Sequence, residues 1–252
     1  MASDTLNNVT EQQRSAISDY IIGSEPINNY LRGNKNSPYY PTPKLIPKMK
    51  QQAVDISNGI RNNPLPEQIS AYKGITDSYL ALLFQQLGLK KAVNKDGSIN
   101  HKWLNKNQKQ MRKALVGSTF HDKAYTSTST ERGFAQFWSR HKAQTEVMNR
   151  FVENGQDDEA IKIQKLATEH PELIPGAHMV TMNLPKGANA SFVDRMSDKE
   201  KKVDQREILV DKGSMFKISD VRKMKDSHSY ELVMDMLAEE EGVKKGKKKK
   251  KK

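Results

Sequence analysis

Two hydrophobic rhythms meet at the proline pair of "NNPLPEQ", residues 62–68, and that junction limits what the chain can fold into. Before it, apolar residues recur every three or four positions; after it, they begin to alternate. In "TEQQRSAISDYIIG", Ile17, Tyr20 and Ile21 form a stripe between the N-cap candidate Thr10 and Gly23. "EPINNYLRG" reads as a second, short helix, and Met49, Ala53, Ile56 and Ile60 place a third on one face. Beyond the prolines, Ile69, Ala71 and Lys73 alternate with Ser70, Tyr72 and Gly74, the period of a strand.

An amphipathic helix is predicted over 76–87, then a polar loop and a basic helical segment, "HKWLNKNQKQMRKALVG". "FHDKAYTSTST", rich in β-branched and aromatic residues, reads as one strand. A helical region follows over 131–170, with Phe134, Phe137 and Trp138 assigned to the core. "AHMVTMNLPKGANASFV" predicts two strands joined by a Pro-Lys-Gly turn, "REILVDKGSMFKI" repeats the device with Asp-Lys-Gly, and "YELVMDML" closes the chain as a strand. Helices first and antiparallel hairpins last give an α+β fold, without the βαβ alternation of a doubly wound sheet. One domain is expected over 1–243, with a helical part (1–66), a β-rich core (67–243) carrying a helical insertion at 131–170, and a disordered polylysine tail at 244–252.

With no cysteine among 252 residues, disulfides, zinc–thiolate sites and thiol nucleophiles are excluded. The formal charge of +12 falls to +4 once the eight lysines from Lys244 onwards are set aside. Charge therefore belongs to the tail, which would contact nucleic acid or any acidic surface without sequence preference, since no aromatic residue interrupts it to stack on bases. No apolar run is long enough to span a bilayer, and the first thirty residues do not read as a secretion signal. A protein acting in the cytoplasm, or delivered by a dedicated machine, is the expectation. The common phosphate cradles, metal spacings and nucleophile elbows are missing from the sequence. What remains is a set of polar residues on predicted strands: Lys73, the run Thr126-Ser127-Thr128-Ser129, and Gln205 with Glu207.

In that order these residues resemble the arginine-serine-glutamate class of mono-ADP-ribosyltransferases, toxin and phage enzymes that transfer ADP-ribose from NAD. "AISDYIIGSEPINNYLRG", "NPLPEQISAYKGI", "AYTSTST", "LPKGANASFV" and "DQREILVDKGSMFKI" each resemble a family segment, with the turn into the last motif at 197–206. The resemblance implies helices packed on a mainly antiparallel two-sheet β core, NAD as co-substrate and a macromolecular, protein target. Cleaving the nicotinamide–ribose bond passes through an oxocarbenium-like state, which a carboxylate beneath the ribose stabilises. By resemblance Glu207 is that carboxylate, Ser127 orients it, and Thr128 and Ser129 shape the strand. Arg32 reaches the pyrophosphate with Asn28 one turn before it, and Gly74 lets the backbone approach the nicotinamide amide.

Two positions depart from the pattern. Lys73 stands where the family carries arginine, giving a point charge in place of a bidentate fork. Gln205 stands where arginine-modifying members carry glutamate; members with glutamine there include exoenzymes that modify an asparagine on small GTPases. The acceptor implied is therefore not arginine. The stretch 139–170 is longer than the family's and would read the target. The alternatives are an NAD glycohydrolase, in which water is the acceptor, and a binding or structural protein that kept the fold without the chemistry.

Overall fold

Thr10 starts the first helix by a reciprocal cap: its hydroxyl accepts the Gln13 backbone N–H at 3.2 Å, and the Gln13 side chain accepts the Thr10 N–H at 3.0 Å. That helix, α1 (Glu11–Ile22), is followed by α2 (Glu25–Arg32), which ends at Gly33 in the left-handed region, and by α3 (Ile46–Arg61). The computed structural model describes residues 6–95, 97–174, 176–193, 206–224 and 229–238. Gln205, most of the 197–206 turn and the lysine tail lie outside them. Ile17, Tyr20, Ile27, Ala53, Ile56 and Ile60 of the three helices pack with Tyr125, Val193 and Leu209 into one apolar cluster. The helical reading of the N-terminal part holds because its apolar face has a strand surface to cover.

The strands are β1 (Ile69–Thr76), β2 (Thr119–His121), β3 (Thr126–Ser129), β4 (Ala177–Leu184), β5 (Ala190–Phe192), β6 (Glu207–Val210), β7 (Met215–Lys223) and β8 (Tyr230–Met236). They form one eight-stranded ladder in the order β2-β7-β8-β4-β1-β3-β6-β5, antiparallel except for β4 beside β8. Ile208 and Val210 of β6 share an apolar cluster with Phe216 and Ile218 of β7, although four strands lie between them. In a flat sheet those five steps would separate them by about 24 Å. The ladder must therefore curl around its core. The α+β class is as expected, but the two-sheet core is a single curled ladder.

Neither expected hairpin forms. β4 lies between β8 and β1 while β5 lies at the far edge beside β6; β6 lies between β3 and β5 while β7 lies between β2 and β8. The two Lys-Gly segments do turn, with Gly187 and Gly213 at φ 77° and 78°, yet each carries the chain from one half of the ladder to the other. Their backbones pair with other loops: Gly187 N–H donates to the Leu65 carbonyl at 2.8 Å and Gly213 N–H to that of Asp122 at 2.8 Å. A glycine at positive φ encodes a reversal of direction, not the strand that will be its neighbour. "FHDKAYTSTST" likewise divides, β2 joining β7 and β3 joining β6, with Asp122 at the break. The basic helical segment divides into α5 (His101–Lys106) and α6 (Gln108–Leu115) at Asn107, whose side chain donates to the Trp103 carbonyl at 2.8 Å.

Between β1 and β2 the chain forms α4 (Asp77–Gln86), α5 and α6; α7 (Arg132–Glu153) and α8 (Asp157–Glu169) follow β3. The aromatic residues of α7 do not fill the core as expected: Phe137 is 62% and Trp138 38% exposed. α7 instead turns Ala135, Ser139 and Ala143 to the sheet. Ser139 Oγ lies 3.0 Å from the Ile75 carbonyl and 2.8 Å from that of His178. Only small residues permit such an approach, and Gly74 is the other half of it. A Cβ on Gly74 would lie 2.2 Å from the Ala135 carbonyl oxygen and 2.7 Å from the Ser139 nitrogen. Among the described residues, no helix is long and apolar enough to cross a membrane.

Because the nearest obstructing atom is a backbone oxygen and the others are the nitrogen and Cβ of Ser139, none of them the end of a flexible side chain, Gly74→Ala should destabilise the fold by about 3 kcal/mol, more than a typical overpacked core substitution. A urea unfolding curve measures this; a midpoint equal to that of the wild type would show that α7 can withdraw without cost.

Candidate active site

Tyr72 opposite Ser129 is the one residue pair that joins β1 to β3 among the described residues. Beyond it, towards Thr76 and Thr126, each strand keeps its outer partner, β4 or β6, and the two inner edges face one another unpaired. Such an opening in mid-sheet leaves backbone groups for side chains or a ligand to satisfy. Lys73, the first residue past the pair, answers one of them: its ammonium donates to the Ser127 carbonyl at 3.3 Å and stands 5.9 Å from the centre of the Tyr79 ring. Burial pulls the Lys73 pKa down to about 8; Asp122 opposes that fall, Arg32 and Lys142 add to it by repulsion, and Glu207 opposes it more weakly.

Asp122, at the break between β2 and β3, is only 3% exposed. Its carboxylate accepts from Thr126 Oγ1 at 2.7 Å, the Ala124 N–H at 3.1 Å, Arg32 Nη2 at 3.2 Å and the Tyr79 hydroxyl at 3.3 Å. Burial, with the nearby carboxylate second, raises the Tyr79 pKa well above its ordinary value, so the phenol remains a donor. Arg32 comes from the last turn of α2 and Tyr79 from the first turn of α4, so one buried anion ties two helices to the strand break.

Glu207 opens β6 directly opposite Ser129 and is 8% exposed. On β6, Ile208 and Val210 face the sheet core, while Leu209 packs with the N-terminal helices, so alternation puts Glu207 on the helical side. Ser127, paired with Leu209, shares that face. Tyr20 meets them there: its hydroxyl lies 3.5 Å from Ser127 Oγ and 3.1 Å from Asn28 Nδ2, which donates to it. Burial chiefly pushes the Tyr20 pKa up to about 12; the bonds from Ser127 and Asn28 work against this, and the charge of Glu207 adds to it. The Asn28 side-chain Oδ1 accepts the Tyr125 N–H at 3.2 Å, so this amide fixes the approach to β3 from α2.

Both ends of the Glu207 strand are anchored. Before it, Arg206 holds φ 43°, the one described non-glycine residue at positive φ, and its guanidinium reaches Glu131 at 2.7 Å. After it, buried Asp211 accepts from Ser57 Oγ at 2.6 Å and Arg61 Nε at 2.7 Å, while Lys212 donates to Ser57 Oγ at 2.5 Å. Ser57 also lies 2.9 Å from the Tyr125 hydroxyl. A polar knot on α3 thus holds the far end of β6.

The split therefore gathers Arg32, Lys73, Ser127 and Glu207 from four elements, with Asn28 behind them. Three other expected site residues have local duties. The Thr128 hydroxyl donates to the Ile208 carbonyl at 2.9 Å, Ser129 Oγ accepts the Glu131 N–H at 2.9 Å ahead of α7, and Gly74 meets α7 as described. Sequence reasoning passed over Asp122, Tyr79 and Tyr20. Asp122 stood four residues before Thr126 in a stretch read as one strand; the break there was its signal. In the sequence Tyr20 stands in an apolar stripe and Tyr79 in an amphipathic helix, where neither hydroxyl carries a local signal.

Comparison with solved structures finds the same fold in several exoenzymes. The Clostridium limosum C3 exoenzyme aligns at a TM-score of 0.59 and 16% identity, over 94% of this chain and 91% of that one. Plx2a, an ADP-ribosyltransferase toxin from Paenibacillus larvae, aligns at 0.58 and 18%, over 94% and 91%. C3stau2 from S. aureus, solved with NAD, aligns at 0.58 and 15%, over 93% and 91%. At such identities the likeness shows the fold alone. Comparison with curated protein sequences gives no match. The description of the ADP-ribosyltransferase exoenzyme family, however, matches residues 1–240, nearly the whole chain. With a buried glutamate and two cations gathered at the split of its sheet, the chain belongs to the ADP-ribosyltransferase exoenzymes, enzymes that use NAD as co-substrate to modify protein.

Proposed function

We propose that the chain transfers ADP-ribose from NAD to a protein side chain other than arginine, with Glu207 as the catalytic carboxylate. The observation that carries this reading is the arrangement at the β1–β3 split: a buried carboxylate on one face, with Arg32 and Lys73 bordering the opening. That donor set fits a dinucleotide. Cations suit the pyrophosphate, and an anion suits the ribose carbon that becomes positive as the nicotinamide bond breaks. Nicotinamide leaves with the bonding electron pair, and the acceptor forms the new bond to that carbon and gives up a proton. Glu207 lowers the barrier by facing the developing charge; Ser127 and Tyr20, on the same face, limit its freedom to turn. Gln205, outside the described residues, is assigned to the acceptor because a neutral amide can bond another amide, whereas a guanidinium prefers a carboxylate. Plx2a is described as a toxin; the same role, entering a cell to act on a protein there, is part of this proposal, and 139–170 is the region assigned to target reading, joined by the exposed Phe137 and Trp138 that precede it on α7.

Incubation with labelled NAD and a cell lysate tests the reaction. Glu207→Ala should abolish the labelled band, a loss of at least about a hundredfold, while the far-ultraviolet circular dichroism stays unchanged. A band of undiminished strength in that variant would remove Glu207 from the chemistry. Nicotinamide release without any band would favour hydrolysis over transfer.

Lys73 makes NAD capture pH-dependent. Its charge attracts the pyrophosphate, is complete below its pKa of about 8 and is lost as pH rises through that value. The ratio kcat/KM for NAD should therefore fall on the alkaline side of pH 8, and Lys73→Arg, which stays charged, should remove that limb; an identical profile in both would exclude Lys73 from phosphate binding. At the acceptor position, Gln205→Glu should shift labelling towards a small guanidine such as agmatine and away from the native target, compared side by side on one gel.

A further inference from the structure

We propose that Asp122 is a positioning residue of the NAD site, the anion that aims Arg32 and counterbalances Arg32 and Lys73, a role that rests on the NAD reading given above. A buried carboxylate among groups meant for a pyrophosphate looks counterproductive, since it competes for the same donors. Its geometry resolves this. Arg32 meets Asp122 through Nη2 alone, at 3.2 and 3.3 Å to the two oxygens. The guanidinium carries five N–H donors, so most of its fork stays available for a ligand while its direction is set.

Asp122 itself cannot swing to follow. Thr126, Ala124 and Tyr79 hold its oxygens, its N–H donates to the Ser214 carbonyl at 3.1 Å, and its carbonyl accepts the Gly213 N–H at 2.8 Å. The second cation depends on it through charge. Of the charged and titratable groups that face Lys73, Arg32 from α2 and Lys142 from α7 repel it, Asp122 and Glu207 attract it, and Tyr79 from α4 lies beneath it, neutral. Asp122 is the stronger of the two attractions. Without that anion, two cations would face each other in a partly desolvated opening, and the lysine would shed its proton first. The carboxylate thus does for Lys73 what a guanidinium would not need: it keeps a titratable cation charged at neutral pH.

The test is Asp122→Asn, which keeps the shape and removes the charge, assayed by nicotinamide release over roughly pH 6 to 10. The expected result is a KM for NAD raised about tenfold with kcat changed less than about twofold, and an alkaline limb of kcat/KM moved to lower pH by about one unit. In a Lys73→Arg background the same change should still raise KM but find no limb to move. An unaltered KM overturns the proposal, as does a loss confined to kcat. If the thermal melt of Asp122→Asn lies too low for assay, Thr126→Val removes the shortest bond to the carboxylate without touching its charge. It should raise KM about threefold with kcat kept, and an unaltered KM there also overturns the proposal. The NAD reading fails separately, when the wild type and Glu207→Ala release nicotinamide at one rate.

Discussion

Among the described residues one pair, Tyr72 with Ser129, joins the two halves of the ladder, and the site opens where the pairing stops. A fully paired β1–β3 ladder would bring Lys73 against Thr128 and close the gap with backbone hydrogen bonds. The strands instead part after one contact, each satisfied on its outer edge, and their inner edges are left to side chains. Two features resist closure. α7 is pressed onto Gly74 from one side, and the β2–β3 break places buried Asp122 and its donors at the other end of the opening.

Charge balance then decides which side chains can live there. Arg32 and Lys73 are cations in a partly desolvated place, and Glu207 and Asp122 are anions 8% and 3% exposed. Charges about 4 Å apart interact by about 4 kcal/mol at an effective dielectric near 20, before desolvation is subtracted. Terms of that size mean that none of the four can be changed in isolation. The lysine shows it most directly, because its protonation answers to every charge around it.

Precision at Glu207 comes from outside the split. Its strand is four residues long, too short to be fixed by pairing alone, and it is pinned at one end by Arg206 on Glu131 and at the other by Asp211 on Ser57 and Arg61. One anchor reaches to the start of α7 and the other to the end of α3, so a helix that the sequence announces early also holds the strand of Glu207.

The helices of the N-terminal part, the strand character of 69–76 and 126–129, and the residue types of the site are legible in the sequence alone, because periodicity, caps and polar residues on strands are local properties that survive without tertiary context. The sequence also carried the resemblance on which Glu207, Ser127 and Arg32 were picked out. Which strands become neighbours depends on long-range packing, since a Lys-Gly turn fixes a reversal and burial of apolar faces selects the partner. That packing likewise decided that Phe137 and Trp138 face solvent, because the close contact of α7 with Gly74 admits only small residues beneath the helix. And it made Asp122 part of the site: a carboxylate between two short strands is unremarkable in a sequence, and its meaning comes from four donors that the fold brings to it from α2, α4, β3 and its own loop.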